Sequence, residues 1–160
     1  MQTDVKSYIA KESGVATTSR YRLKGITVSS ATSSLRNIAI ADPTVYKSGT
    51  WSRTGTTVTV TINNNGLTDG DRVFLNVSTG TTMRDGVYTV SNVTTNTFTV
   101  TSVTSGVASG TVDMYTSIYL ELDTFSTIAL PVLIPGQGIL CDNGIFVGLG
   151  SSVTATIFYG

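Results

Sequence analysis

The chain contains no histidine. That removes Ser-His-Asp triads, Cys-His pairs and imidazole metal ligands from consideration. Its one cysteine, Cys141, excludes an internal disulfide framework and any site built from several thiolates. Set in the apolar run Ile139-Leu-Cys141, it reads as a small buried hydrophobe rather than a reactive thiol. Charge is scarce as well. Lys and Arg number 10, Asp and Glu number 10, and together with a charged share of 12% they leave the chain neutral, where ~25% charged residues is usual. Phosphate binding needs clustered Lys and Arg to release counterions, so this balance argues against nucleic acid as a partner. No run approaches the ~18 apolar residues of a membrane span, and residues 1–30 lack the basic start and apolar core of a signal peptide. The expectation is a soluble chain made in a cytoplasm, with no membrane partner. Helical periodicity is missing everywhere after residue 20.

Threonine, serine, asparagine and glycine take the place of charge, alongside 40% hydrophobic residues in a chain of 160. That is enough apolar surface to offset chain entropy, and enough length for one ordinary domain or two small ones. The stretch from Trp51 to Val112 shows the pattern best. Val58, Val60 and Ile62 alternate with threonines, the period of two that marks a half-buried strand. Asn63 to Gly66 and Asp69-Gly70 are turn residues able to take positive φ. Strands follow with Val73, Leu75 and Val77, then Tyr88 and Val90, then Phe98 and Val100. Short strands with turn signals about every ten residues predict a small β-barrel or sandwich.

The flanks are also extended. Met1 to Thr18 predicts either a short amphipathic helix or an extended arm that serves as an edge strand. Arg20 to Val28 reads as a strand with Arg20, Arg22 and Lys24 outward and Tyr21 and Leu23 inward, and Gly25 shifts the alternation as a β-bulge does. Ile38 and Ile40 alternate in the next strand, which Asp42-Pro43 breaks. Later, Ile118, Leu120 and Leu122 are read as inward, with Tyr119, Glu121 and Asp123 outward. The near-continuous run Leu130 to Ile134 suggests a strand covered on both faces, with the second cover supplied by another copy of the chain. Pro135 to Gly138 and Asp142 to Gly144 are turns, and a final strand runs from Val153 to Tyr159. The fold class expected is therefore all-β: an antiparallel β-sandwich host domain over 1–42 and 115–160, with a small β-barrel over 43–114 inserted in one of its loops. The hinges are placed at 42–49 and 113–117.

Two resemblances rest on these residues. Gly66-Leu-Thr-Asp-Gly-Asp-Arg-Val73, Asp85-Gly-Val-Tyr-Thr-Val90 and Asn96-Thr-Phe-Thr-Val100 resemble the small β-barrel module named after the first catalytic-cysteine half-domain of ubiquitin-activating enzymes. That module recurs in phage structural proteins as a spacer or display domain, and the name implies no ubiquitin chemistry here. Outside it, Arg22-Leu-Lys-Gly-Ile26, Ile134-Pro-Gly-Gln-Gly-Ile-Leu140, Asp142-Asn-Gly-Ile-Phe-Val147 and Thr156-Ile-Phe-Tyr-Gly160 resemble small virion-associated proteins of cyanophages, bacteriophages of marine and freshwater cyanobacteria. In those proteins a β-sandwich closes on Phe-Tyr-Gly. The resemblance implies a viral structural protein at the virion surface, with the major capsid protein or another virion protein as partner.

Candidates for chemistry are few. Glu121 and Asp123 stand about 7 Å apart on one strand face and read as solvated decoration. Asp69-Gly-Asp71 beside Asn63 to Asn65 has the oxygen chemistry of a loose calcium loop without its glutamate, and turn formation explains every residue. Gly136-Gln-Gly138 lacks the following helix of a phosphate cradle. Trp51 and Tyr119 could stack on a sugar, although core or interface suits them better. Asn76-Val-Ser78 and Asn92-Val-Thr94 match the glycosylation pattern by composition alone.

The expectation is therefore a non-enzymatic protein with no cofactor and no bound metal. It self-associates as a homotrimer and decorates or cements a capsid, with Arg20, Arg22, Tyr119, Leu130, Val132 and Ile134 as the contact surface. The second expectation is a tail, neck or fibre-tip component that binds a receptor or carbohydrate through displayed loops at Asn65, Thr82 and Asn96.

Overall fold

The computed structural model describes residues 4–31, 36–79, 83–124 and 129–160. Among these the regular structure is entirely β, paired antiparallel. In chain order the strands are β1 (Lys6–Ala10), β2 (Gly14–Thr17), β3 (Tyr21–Ser30), β4 (Arg36–Ala41), β5 (Tyr46–Thr61), β6 (Arg72–Val77), β7 (Gly86–Thr89) and β8 (Thr97–Tyr115), followed by β9 (Ile118–Thr124), β10 (Leu130–Leu133), β11 (Ile139–Cys141), β12 (Ile145–Leu149) and β13 (Val153–Tyr159). They form two compact units, Met1–Thr44 with Ile118–Gly160, and Val45–Ser117. The sequence reading placed these breaks after 42 and after 114.

The first unit is a β-sandwich. One sheet runs β1-β13-β3-β10, with β11 pairing β3 beyond β10; the second runs β2-β12-β4-β9. Inward positions of both sheets build a single core, including Leu23, Ile26 and Val28 of β3, Ile38 and Ile40 of β4, Ile145 and Val147 of β12, and Ala155 and Ile157 of β13. Each large side chain buried there stabilises the unit by roughly 1.5–3 kcal/mol over leaving it in water, an upper figure because unfolded chains already bury some surface.

The N-terminal stretch is strand, not helix: β1 pairs β13 and β2 pairs β12, one on the edge of each sheet. Its period is two, with Tyr8 and Ala10 packed on the core and Ile9 turned outward. The bulge expected at Gly25 is present, since Phe158 pairs with Gly25 and Tyr159 with Leu23, leaving Lys24 as the extra residue.

Two rows of outward positions cross the first sheet. Ile9, Thr156, Thr27 and Pro131 make one; Ser7, Phe158, Gly25 and Leu133 make the next. A Cβ at Gly25 would lie 3.7 Å from Leu133 Cδ2 and 3.9 Å from Phe158 Cδ2, so both side chains lean over the glycine.

The second unit is a single sheet that curls on itself, in the order β5-β8-β6-β7. The long strands β5 and β8 pair along most of their length, and a bridge between Ser91 and Thr99 ties the segment after β7 back to the start of β8. The curl brings the start of β5 against its own end: a Cβ at Gly49 would stand 2.1 Å from the Thr61 carbonyl oxygen. This curled antiparallel unit is the inserted small β domain that the sequence predicted.

Trp51, Val58, Val60, Ile62, Val73, Leu75, Val90, Phe98, Val100, Val112 and Met114 fill the interior. Outward, threonine faces threonine across the ladder at Thr57 and Thr101, Thr59 and Thr99, and Thr61 and Thr97. Such cross-strand pairs suit a pleated surface that water covers. Asn64, Gly66 and Gly70 take the positive φ expected of the turns around them.

Two features depart from the reading. Residues 46–49 and 113–115, assigned to hinges, are paired strand, with Tyr46 opposite Tyr115. The linkers between strands are correspondingly short. The β5–β8 ladder also carries a bulge, since Gly55 pairs with Gly106 and Thr57 with Thr101. Arg53 is folded into it, donating from Nη1 to Ser102 Oγ at 3.2 Å, to the Thr104 carbonyl at 3.1 Å and to Thr104 Oγ1 at 2.6 Å.

Candidate functional site

The proposed contact residues all lie in the sandwich unit, in three different settings. Arg20 is exposed and its Nε donates to Asp142 Oδ1 at 2.8 Å. Arg22 donates to the Gly138 carbonyl at 3.4 Å, and Lys24 Nζ to the Gln137 carbonyl at 2.8 Å. This basic row therefore ties β3 to the turns on either side of β11. Exposed pairs of this kind are worth little in stability, and their geometry fixes where the charges point.

Tyr119 is not the outward residue that alternation implied. Ile40 pairs with Leu120 and Ala41 with Ile118, so Tyr119 is the extra residue of a bulge in β9. The bulge breaks the period of two and lets Tyr119 pack against the core beside Leu120 and Leu122. Its hydroxyl donates to Asp42 Oδ2 at 3.2 Å. Burial, together with the Asp42 charge, pushes the phenol up to about 12.

Asp42 was expected only to break β4 and open a hinge. Only 4% exposed, it accepts from Asn143 Nδ2 at 2.7 Å on the same oxygen as Tyr119, and from Thr44 N at 2.8 Å and Thr44 Oγ1 at 2.7 Å on the other. Burial pushes its carboxyl up, but the bonds from Thr44, Asn143 and Tyr119 outweigh it and hold the group below its ordinary 3.8. It clasps the end of β4, the start of β9 and the turn before β12. The signal legible in advance was Asp-Pro-Thr, whose side-chain oxygen can cap the amide two residues on.

The run Leu130 to Ile134 is covered on one face only. Val132 and Ile134 pack on the core, while Leu130 is 48% and Leu133 85% exposed. Strand β10 is an edge of its sheet, which is also where Pro131 is tolerated.

The displayed loops behave differently from expectation. Asn65 is buried: its Nδ2 donates to the Thr94 carbonyl at 2.8 Å and its Oδ1 accepts from Leu67 N at 3.0 Å. It shapes the loop and is not presented by it. Asn96 is exposed, with its Oδ1 accepting from Asn64 N at 3.0 Å. Thr82 lies outside the described residues. The loops around Asn65 and Thr94 line a shallow depression of about 390 Å³, and Lys47 to Thr50 with Thr61 to Asn64 line another of about 530 Å³.

The remaining candidates resolve into structure. Asp69 Oδ1 accepts from Val93 N and Asp71 Oδ2 from Thr68 N, each at 2.8 Å. No group of three or more Cys, Asp or Glu side chains able to hold a metal occurs among the described residues. Asp123 accepts from Asn37 Nδ2 across the ladder. Trp51 is 2% exposed, with its indole donating to the Thr79 carbonyl at 3.2 Å, so it presents no stacking platform. Cys141 is buried, and burial pushes its thiol up to about 11. Compared with protein-family models, curated proteins and solved structures, the chain matches none of them.

Proposed function

We propose that the chain is a non-enzymatic structural protein of a bacteriophage virion, a self-associating capsid decoration or cement protein, with its curled β module as a displayed domain. The observation that carries the reading is apolar surface that the chain itself leaves uncovered. Ile9 and Leu133 stand open on one sheet, in a chain whose charged share is 12%. Solvated sheet faces alternate polar residues outward, and aliphatic groups left open at both margins of one face are available for association. Covering them would contribute roughly 25 cal/mol per Å² of apolar area, less the cost of association. The resemblance of the Pro-Gly-Gln-Gly and Phe-Tyr-Gly segments to cyanophage virion proteins points the same way.

The second reading is a tail, neck or fibre-tip component that binds a receptor or carbohydrate, favoured by the shallow depression beside Asn65 and Thr94. The test is the molar ratio of the chain to the major shell protein in purified particles. A ratio near one-to-one supports decoration, and a few copies per particle supports the second reading. Absence of the chain from particles rejects both.

A further inference from the structure

We propose that the outward face of the first sheet is where two copies of this chain meet, sheet against sheet across a two-fold axis. The inference deepens the proposed self-association by naming the surface and its symmetry.

The face is built for a copy of itself. Its two central rows run Ile9 to Pro131 and Ser7 to Leu133, and no side chain in them is charged. An isologous contact sets each group near its own equivalent, so any charge close to the axis would meet its like. Of the cations near these rows in sequence, Lys6 donates to the Tyr21 hydroxyl, Arg20 to Asp142, and Arg22 and Lys24 to the carbonyls of Gly138 and Gln137, while Lys11 stands exposed just past the end of β1.

Apolar groups stand at opposite margins of the face, Ile9 at 62% exposure on β1 and Leu133 at 85% on β10, with Phe158 half-buried between them. Thr27 and Thr156 lie between the apolar positions and keep the surface flat. In the second unit threonine alone faces outward along the ladder from Thr57 to Thr61, and Val103 and Val107 stand 82% and 86% exposed farther along β8.

Size sets the expected strength. Four strands at ~4.8 Å spacing, each about six residues long at ~3.4 Å per residue, give a footprint of about 400 Å². Stable complexes bury about 800 Å² per partner. The pair is therefore weak in free solution, with a dissociation constant of about 1–100 µM, and effective where neighbouring copies are held close together.

The test is sedimentation equilibrium of the full chain from about 1 to 500 µM, a range set to bracket that constant. The expected result is a monomer–dimer equilibrium that Leu133→Arg weakens by at least about tenfold, because two like charges enter the contact. Since Leu133 is 85% exposed, the substitution leaves the fold intact. Ile9→Lys, at the other margin, repeats the measurement should the first variant lose its Trp51 fluorescence or its Cys141 protection. A chain that stays monomeric throughout, a dimer indifferent to both substitutions, or a trimer of any sensitivity overturns the proposal. A monomeric chain found on particles at full ratio removes the pair and leaves the proposed function standing. A chain that pairs in solution but is absent from particles does the reverse.

Discussion

The two units solve one problem in two ways. Each begins from ribbons in which apolar residues alternate with threonine, and each must hide one side of those ribbons. The sandwich does it with two sheets facing each other, closed around Leu23, Ile38 and Ile157. The second unit does it with one sheet curled until its own ends approach, closed around Trp51, Val60 and Phe98. Curling requires places where backbone passes close to backbone, and Gly49 and Gly110 occupy them. The sandwich has such approaches too, Gly138 against the Leu23 carbonyl and Gly144 against the Thr17 carbonyl, but its facing sheets each keep an outer side, and on one of them Ile9 and Leu133 are exposed. Both closures depend on glycine where backbone meets backbone, and they differ in whether one sheet or two enclose the core.

The single tryptophan lies in the curled unit and the single cysteine in the sandwich, so fluorescence and thiol labelling follow the two separately. The largest effect is expected from Gly49→Ala. Its Cβ would stand 2.1 Å from a backbone oxygen that cannot rotate aside, costing about 3 kcal/mol or more. Trp51 fluorescence should report early unfolding while Cys141 stays protected. Simultaneous loss of both signals would show that the two units do not unfold independently.

Next is Asp42→Ala, which leaves donors of Tyr119, Asn143 and Thr44 without their acceptor and should cost about 2–3 kcal/mol. Here Cys141 labelling accelerates and the Trp51 transition holds. Smaller again is Asn65→Ala, at about 1–2 kcal/mol for a buried amide, read in the Trp51 transition under denaturant. Asn96→Ala, at an exposed position, should change that transition by less than about 0.5 kcal/mol. Equal effects would mean that burial does not separate the two asparagines.

The smallest effect is a divergence with pH. Asp42 is held below 3.8 when folded, so its contribution is complete above 3.8 and is lost as pH falls through the lowered folded value. Asp85 is pushed up by burial, against the bond its Oδ1 accepts from Val77 N at 2.7 Å. Its folded state favours the protonated form, so the curled unit gains stability as pH falls through the raised value toward 3.8. Mild acidification should therefore strengthen the Trp51 transition before stronger acid weakens the sandwich. Asp85→Asn should abolish the first change and leave the second.

Several elements were legible in the residues alone. Val58, Val60 and Ile62 sit in the core because strict alternation leaves only one face for them. The Gly25 bulge was readable because the inward phase changes between Leu23 and Ile26. Tyr119 was misread because its bulge has no glycine to announce it, and only the pairing with β4 reveals the shift in register. Asn65 looked displayed because turn composition says nothing of which loop folds over another. Asp42 looked like punctuation because three of the donors that hold it come from Tyr119, Asn143 and Thr44, two of them far away in the chain.

Local chemistry determined the strands, the turns at Asn64 and Gly70 and the all-β class, since these depend on period and on allowed φ within a few residues. Only the folded arrangement decided that β1 and β10 would be the two margins of one sheet, that Gly49 would touch Thr61, and that an aspartate at the end of β4 would gather four donors. Such outcomes depend on contacts between residues distant in sequence, and periodicity carries no information about which strands will become neighbours.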